Sequence, residues 1–323
     1  MKKCILLAVL TISLAACNGG GGSSYNEEGN SGGGGGTTVG PHWTKQIGTS
    51  IAAGTAITYE PINNIIYALG GASGGAVICA ISPNASATTA WDCSTVNNAL
   101  PTGYSITSTN VVADGAGNIY AVAYNRSNSS YYLMKYNGST WSNYQFTNAP
   151  AVSIDYVSNI YYDNGNIYLV SSNQVGSTIV NDLIGFNTSG NYTQTINSVY
   201  TGLMTLNYNN SNLSNGKLYV GYLNTVKAIS LANTSNVTTY TNLYVSAIAA
   251  NSNSLVSCGL KSTLSGIYST PLSTSSWTNI GYTYSMSGAN TTIYFGCTSL
   301  TTANNKTFVV GSTTSGSAVF AQP

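Results

Sequence analysis

Charge is scarce in this 323-residue chain: only 5% of residues are Asp, Glu, Lys or Arg, the formal net charge is +1, and Arg126 is the only arginine. Nucleic-acid binders neutralise phosphates with basic patches, so this composition argues against a polyanion partner. Histidine is rarer still, with His42 alone. General acid–base work would therefore fall to Glu60, Asp92, Asp155 and Asp182, which are scattered along the chain. The chain has no G-x-S-x-G elbow, no phosphate loop and no Cys-x-x-Cys pair. No residue set calls for a cofactor or a metal, and an enzyme is the least favoured class. Helical periodicity is also missing. Beyond residue 40 the apolar pattern has period two, in short runs heavy in β-branched and aromatic residues.

What is abundant is Asn, Ser, Thr, Gly and Tyr, with 35 glycines and 25 tyrosines. These wet a surface without charge, and the chain is long enough to bury a large core.

At the start, Lys2 and Lys3 precede an apolar run over 5–14, the layout of a secretory signal. The run is well short of the ~20 residues that a membrane-crossing helix needs. Leu14, Ala15, Ala16 and Cys17 then resemble the lipobox of bacterial lipoproteins. That resemblance implies a signal peptide over 1–16, lipidation of Cys17, and attachment to a membrane without crossing it. An ordinary signal peptide cleaved after Ala16, leaving a free Cys17 thiol, is the alternative. Asn18 is not the Asp that marks inner-membrane retention in enteric lipoproteins, so the resemblance favours the outer membrane of the cell envelope. Residues 17–40, with glycine runs at 19–22 and 32–36, read as a tether that buries too little surface to order its backbone. Random-coil scaling gives it a mean reach of about 25 to 30 Å.

Residues 41–323 carry a degenerate repeat. GNIYAV (117–122), GNIYLV (165–170) and GKLYVG (216–221) have weaker relatives in NIIYAL, NSLVSC and NKTFVV. The aligned positions Tyr67, Tyr120, Tyr168, Tyr219, Val256 and Phe308 are 53, 48, 51, 37 and 52 residues apart. This spacing suits four-stranded blades of a β-propeller. Blade two reads most clearly, as strands SITSTNVVAD, NIYAVAYN, SYYLMKYN and TWSNYQF, with Asn137-Gly138 as a hairpin turn.

Tryptophan marks the outermost strand at Trp91, Trp141 and Trp277, and Trp43 stands alone ahead of any complete blade. The last repeat, TTIYFGCTS, KTFVVGS and SAVFAQ, lacks a fourth strand. Residues 42–48 therefore supply that strand and close the ring, leaving no open seam. The expected fold is all-β, a propeller of six four-stranded blades closed by pairing of the N-terminal strand with the last blade. Counts of five and seven also fit the degenerate repeats.

Four cysteines remain in the domain, and three pairings can be drawn. Sequence proximity favours Cys79 with Cys93, on the third and fourth strands of blade one. It also favours Cys258 with Cys297, on the second strand of blade five and the first of blade six.

The turn-Gly-Asn-Ile-Tyr strands are similar to those of NHL-type and kelch-like propellers. The recurring acidic residue of the NHL pattern is missing, and kelch's double glycine occurs only as Gly70-Gly71. No family's binding residues carry over.

Asp114 and Asp163 occupy equivalent blade turns and read as turn formers; His42 reads as structural. Binding is expected on the loops that follow second strands, since rigid scaffolds present function on loops. Blade two offers Tyr124, Asn125, Arg126 and Tyr131, and blade three has the longest insertion, about 171–181. The favoured function is a platform for another envelope or extracellular protein; the alternative is a lectin in which tyrosines stack on sugars. A contiguous apolar patch on the loop face would mark the platform, and a shallow aromatic cleft lined by amides the lectin.

Overall fold

The computed structural model describes residues 42–52, 55–72, 75–147, 159–262, 264–282, 284–288, 291–295, 297–313 and 316–323. Cys17, the signal peptide and the tether lie outside them. Thr38–Pro323 is one compact unit.

Six small antiparallel sheets form the blades. Blade one holds Ala56–Glu60, Ile65–Ala72 and Gly75–Ile81; blade two Tyr104–Ile106 with Val112–Ala113, then Ile119–Asn125, Ser130–Tyr136 and Trp141–Gln145. Blade three holds Ile160–Asp163, Asn166–Val175, Thr178–Asn187 and Tyr192–Gly202. Blade four holds Ser211–Ser214, Lys217–Tyr222, Thr225–Ser230 and Val237–Thr241, and blade five Tyr244–Ala250, Ser254–Lys261, Leu264–Pro271 and Thr278–Gly281. Blade six combines Ser299–Ala303, Lys306–Thr313 and Gly316–Ala321 with Gln46–Ile51, which pairs antiparallel with Gly316–Ala321. The N-terminal strand thus closes the ring.

The count of six follows from the core as well as from the sheets. Six clusters of buried apolar residues lie one at each blade boundary, from blades one and two round to blades six and one. The repeat residues Tyr67, Tyr120, Tyr168, Tyr219, Val256 and Phe308 are all buried on second strands. Each pairs with the corresponding inner-strand residue: Thr58, Val112, Tyr161, Asn212, Ala249 and Thr301. Those inner strands line a narrow central channel of about 90 Å³.

Local sequence explains several elements. Asn164-Gly165, Asn215-Gly216 and Asn304-Asn305 all have positive φ at both positions, the backbone of a two-residue turn whose twist matches the flanking strands. Gly48, at φ +69, lies where the closing strand shifts register, and a side chain there would meet Ile81 and Trp91.

Several expectations need correction. The closing strand is Gln46–Ile51 rather than 42–48; His42 precedes it, bridging to Tyr282 with the two rings stacked 4.9 Å apart. Cys93 is not on a fourth strand of blade one. Past a single bridge between Ala80 and Asp92, the chain turns into a short helix, Ser94–Asn98. Asp92 Oδ1 accepts the Thr95 N–H at 3.0 Å and the Ser94 hydroxyl. These bonds, from Thr95 first, hold its carboxyl below the usual range. Thr291–Phe295 is not the first strand of blade six; it pairs with Tyr284–Gly288 in a hairpin between blades five and six. Cys297 therefore precedes the true first strand, Ser299–Ala303. The first strand of blade two is split, with Val112–Ala113 and Tyr104–Ile106 both pairing on Ile119–Asn125.

Both cysteine pairs form as expected from proximity, Cys79 with Cys93 and Cys258 with Cys297. The second joins blade five to the run that enters blade six.

Candidate binding face

Antiparallel blades put two kinds of connection on opposite faces. Turns between first and second strands share one face with those between third and fourth; loops after second strands share the other with the blade-to-blade connections.

The turn face is occupied by structural bonding. Glu60 stands at the same turn position as Asp114 and Asp163, and so is not a scattered acid. Its Oε1 accepts Gly117 N–H of blade two at 2.9 Å, and its Oε2 accepts Asn63 N–H at 2.6 Å. Asp163 Oδ2 accepts Gly216 N–H of blade four at 2.9 Å. Asp114 instead accepts N–H groups within its own turn, from Ala116 and Asn118, and the Tyr120 hydroxyl at 3.2 Å. Burial, then the Asp114 charge, pushes the Tyr120 hydroxyl pKa up. No group of three or more His, Cys, Asp or Glu side chains among the described residues is placed to hold a metal ion.

The central channel is likewise committed. Inner strands are sheet edges with unpaired donors. Ser299 Oγ accepts from Ile57 N–H, Asn110 Oδ1 from Ile160 N–H at 3.0 Å, and Asn212 Oδ1 from Ala250 N–H at 3.1 Å. The polar inner residues thus cap the neighbouring blade.

On the loop face, blade two presents the expected residues together. Tyr124 and Tyr131 are ladder partners with ring centroids 5.1 Å apart and tilted by 56°. Asn125 Oδ1 accepts Ser127 N–H at 2.9 Å, and exposed Arg126 donates its backbone N–H to Gly103 O. Both tyrosines are half-buried, Tyr131 against the core shared by blades two and three. The 171–181 segment is a regular hairpin extension: Asn166–Val175 and Thr178–Asn187 stay paired up to Val175 and Thr178.

A second feature of this face escaped the sequence reading. Seven large apolar side chains are well exposed among the described residues, and five lie at loop-face ends: Val175, Leu203, Leu223, Tyr244 and Leu260. They fall on blades three, four and five. Val175, Leu203, Leu223 and Tyr244 are 60, 64, 58 and 53% exposed.

Backbone bonds bring Leu223, Tyr244 and Leu260 together. Tyr244 is the ladder partner of Leu260, and Val245 N–H donates to Leu223 O at 3.1 Å across the blade boundary. Gly221 permits that approach, because a Cβ there would run into Val245. Burial, then neighbouring Tyr222, pushes the Tyr200 hydroxyl up, and Val199 and Tyr200 lie in the core shared by the third and fourth blades. The nearby charges are engaged: Lys261 Nζ donates to Trp277 O and Asp182 Oδ1 accepts Ser198 N–H, both at 2.6 Å. Isolated leucines in loops carry no periodicity, so no sequence pattern marked them.

No family model matches the chain, and no curated protein matches it. Solved structures are similar in fold. The β-propeller domain of the Trilobed protease from Pyrococcus furiosus, which has an open velcro topology, is 8% identical with a TM-score of 0.48, over 82% of this chain and 77% of that one. The nidogen/laminin complex contains a chain 12% identical with a TM-score of 0.46, over 75% and 82%. A puromycin hydrolase is 9% identical with a TM-score of 0.46, and this chain covers 53% of it. These likenesses are to the architecture alone.

Proposed function

We propose that this chain is a lipid-anchored envelope propeller whose loop face, over blades three to five, docks another envelope or extracellular protein. The observation that carries the reading is the exposure of Leu203, Leu223, Tyr244 and Leu260 on one face, the last three brought together across the boundary of blades four and five. Exposed apolar residues gathered in one region of a protein otherwise rich in polar surface mark an interaction site. Glu60, Asp114 and Asp163 at the turns and the polar inner-strand residues of the channel are engaged in hydrogen bonds of their own, which supports the loop face as the recognition surface. The acids that could serve in catalysis at the turns are engaged with backbone donors, which supports a binding role over an enzymatic one.

Anchoring at Cys17 rests on the lipobox-like Leu14-Ala15-Ala16-Cys17 run. Mass spectrometry of the N-terminal peptide tests it: acyl chains on Cys17, absent in Cys17→Ala, are expected, and an unmodified peptide refutes it. Docking is tested by replacing Leu203 and Leu223 with Asp. The pair should leave the melting temperature unchanged and abolish co-purification of the partner from crosslinked envelopes.

A second reading, glycan binding, is favoured by one observation, the Tyr124–Tyr131 pair beside Asn125 and Arg126. A glycan panel separates the two: saturable binding that free sugar competes away, and that Tyr124→Ala removes, would establish the lectin.

A further inference from the structure

The boundary between blades six and one holds a cleft of about 380 Å³ with no charged side chain in its lining. Its walls include Ile51, Ala68, Gly70, Val77 and Trp91, and the Cys79–Cys93 pair forms part of them. The strand register explains why space is left. In each blade one third-strand residue stands opposite the position that follows the repeat residue (Tyr67, Tyr120, Tyr168, Tyr219, Val256 or Phe308). That residue is Met134, Ile184, Lys227, Tyr268 or Phe320 in blades two to six. In blade one it is Cys79, opposite Ala68, and its side chain is turned to Cys93. Two residues away, Val77 opposite Gly70 stands where blade two has buried Tyr132 opposite Ala123. Blade one thus lacks the bulk that Met134 and Tyr132 give the boundary between blades one and two. The outer position, where a regular fourth strand would pack, is taken by the loop carrying Trp91 and by the helix Ser94–Asn98.

Trp91 is fixed in this gap: its Nε1 donates to Thr49 O of the closing strand at 3.2 Å, leaving the ring as a wall of the cleft. Pockets of roughly 300 Å³ and above, largely apolar with a few polar groups, are the common form of small-molecule sites. An apolar cavity of about 150 Å³ suffices for benzene. We propose that this cleft binds a small uncharged apolar molecule about the size of two fused aromatic rings, lying against Trp91. A charged ligand would enter a site with no counter-charge and lose hydration without compensation. The site is separate from the docking strip, which lies on blades three to five, so either can fail alone.

The test uses the mature chain from residue 18, which keeps the whole Thr38–Pro323 unit, and the neutral fluorophore N-phenyl-1-naphthylamine. Saturable binding of one probe per chain is expected, with excitation transfer from tryptophan that Trp91→Phe lowers more than Trp141→Phe or Trp277→Phe does. Val77→Tyr, which restores the blade-two filling, and Ala90→Phe, on the exposed loop beside the cleft, should each weaken binding at least tenfold with the melting temperature preserved. Failure of the probe to bind, or equal binding to both filled variants, would overturn the proposal.

Discussion

Glu60 of blade one accepts the backbone N–H of Gly117 of blade two at 2.9 Å, although 57 residues separate them in sequence. The same relation recurs two blades on, from Gly216 to Asp163, and Asn251 reaches Thr302 between blades five and six. Boundaries six to one, two to three and four to five carry inner-strand caps from Ser299, Asn110 and Asn212. The two kinds of bond overlap: Tyr161 and Ser211, both on inner strands, join blades three and four at 2.6 Å, and Lys306 of blade six donates to Asn64 of blade one at the turns.

Replacing Glu60 by Ala should destabilise the domain by about 3 kcal/mol, since a buried carboxylate accepting several N–H bonds would leave those donors unmet. Glu60→Gln, which keeps an acceptor, should lose less. Urea unfolding monitored by tryptophan fluorescence measures both; a Glu60→Ala variant as stable as the parent would show that these bonds do not join the blades.

The repeat was legible in the sequence because Tyr67, Tyr120, Tyr168, Tyr219, Val256 and Phe308 face the same kind of boundary, and packing demands a large apolar group there in every blade. The closing strand was legible because a blade short of one strand and a stray tryptophan strand complement each other. Glu60 was not recognised: its turn, Pro61 to Asn64, lacks the Gly-Asn pair that flags Asp114 and Asp163. The hairpin strand Thr291–Phe295 alternates like any blade strand, so period two alone cannot say which sheet it joins. Ser94–Asn98 is too short to show a helical period. Of the binding face, the blade-two tyrosines stood out by composition, whereas Leu203 and Leu223 are single apolar residues in polar loops, visible only once folding brings them to one side.

Trp43 should be the residue on which ring closure depends most. It is fully buried, donates Nε1–H to Ile280 O at 3.0 Å, and packs in the core between blades five and six. Trp43→Ala should cost about 3 to 5 kcal/mol, and Trp43→Phe about 1 to 2, the hydrogen bond being lost while the ring still packs. Equal losses in thermal unfolding would mean that packing there contributes little.

The two disulfides close loops of 14 and 39 residues. By the chain-entropy relation the longer should stabilise by about 4 kcal/mol and the shorter by about 3. Double alanine variants of each pair, compared in guanidinium unfolding, should rank Cys258–Cys297 first. The reverse order would point to native-state contacts in blade one as the larger contribution.

Alkaline pH should unfold the domain. Burial, then Tyr136 and Glu60, raises the Tyr67 hydroxyl to about 12, and burial, then Tyr240, raises Tyr219 to the same level. An unfolded tyrosine ionises near 10. Between these values the unfolded chain loses protons that the folded chain keeps, so the stabilisation is complete below about pH 10 and falls as pH rises towards 12. Absorbance at 295 nm should show an exposed class of tyrosines titrating first and a buried class titrating together with the loss of circular dichroism. A single class, titrating before any unfolding, would contradict this assignment.

The most direct test of the docking account is site-specific photo-crosslinking in intact envelopes. The probe replaces Leu203 or Leu223 on the loop face, or Ile62, which is 68% exposed on the turn face. The account predicts the same discrete protein adduct from both leucine positions, lost when Tyr244 and Leu260 are changed to Asp, and none from position 62. Adducts from Ile62 alone, or no adduct from the loop face, would contradict it.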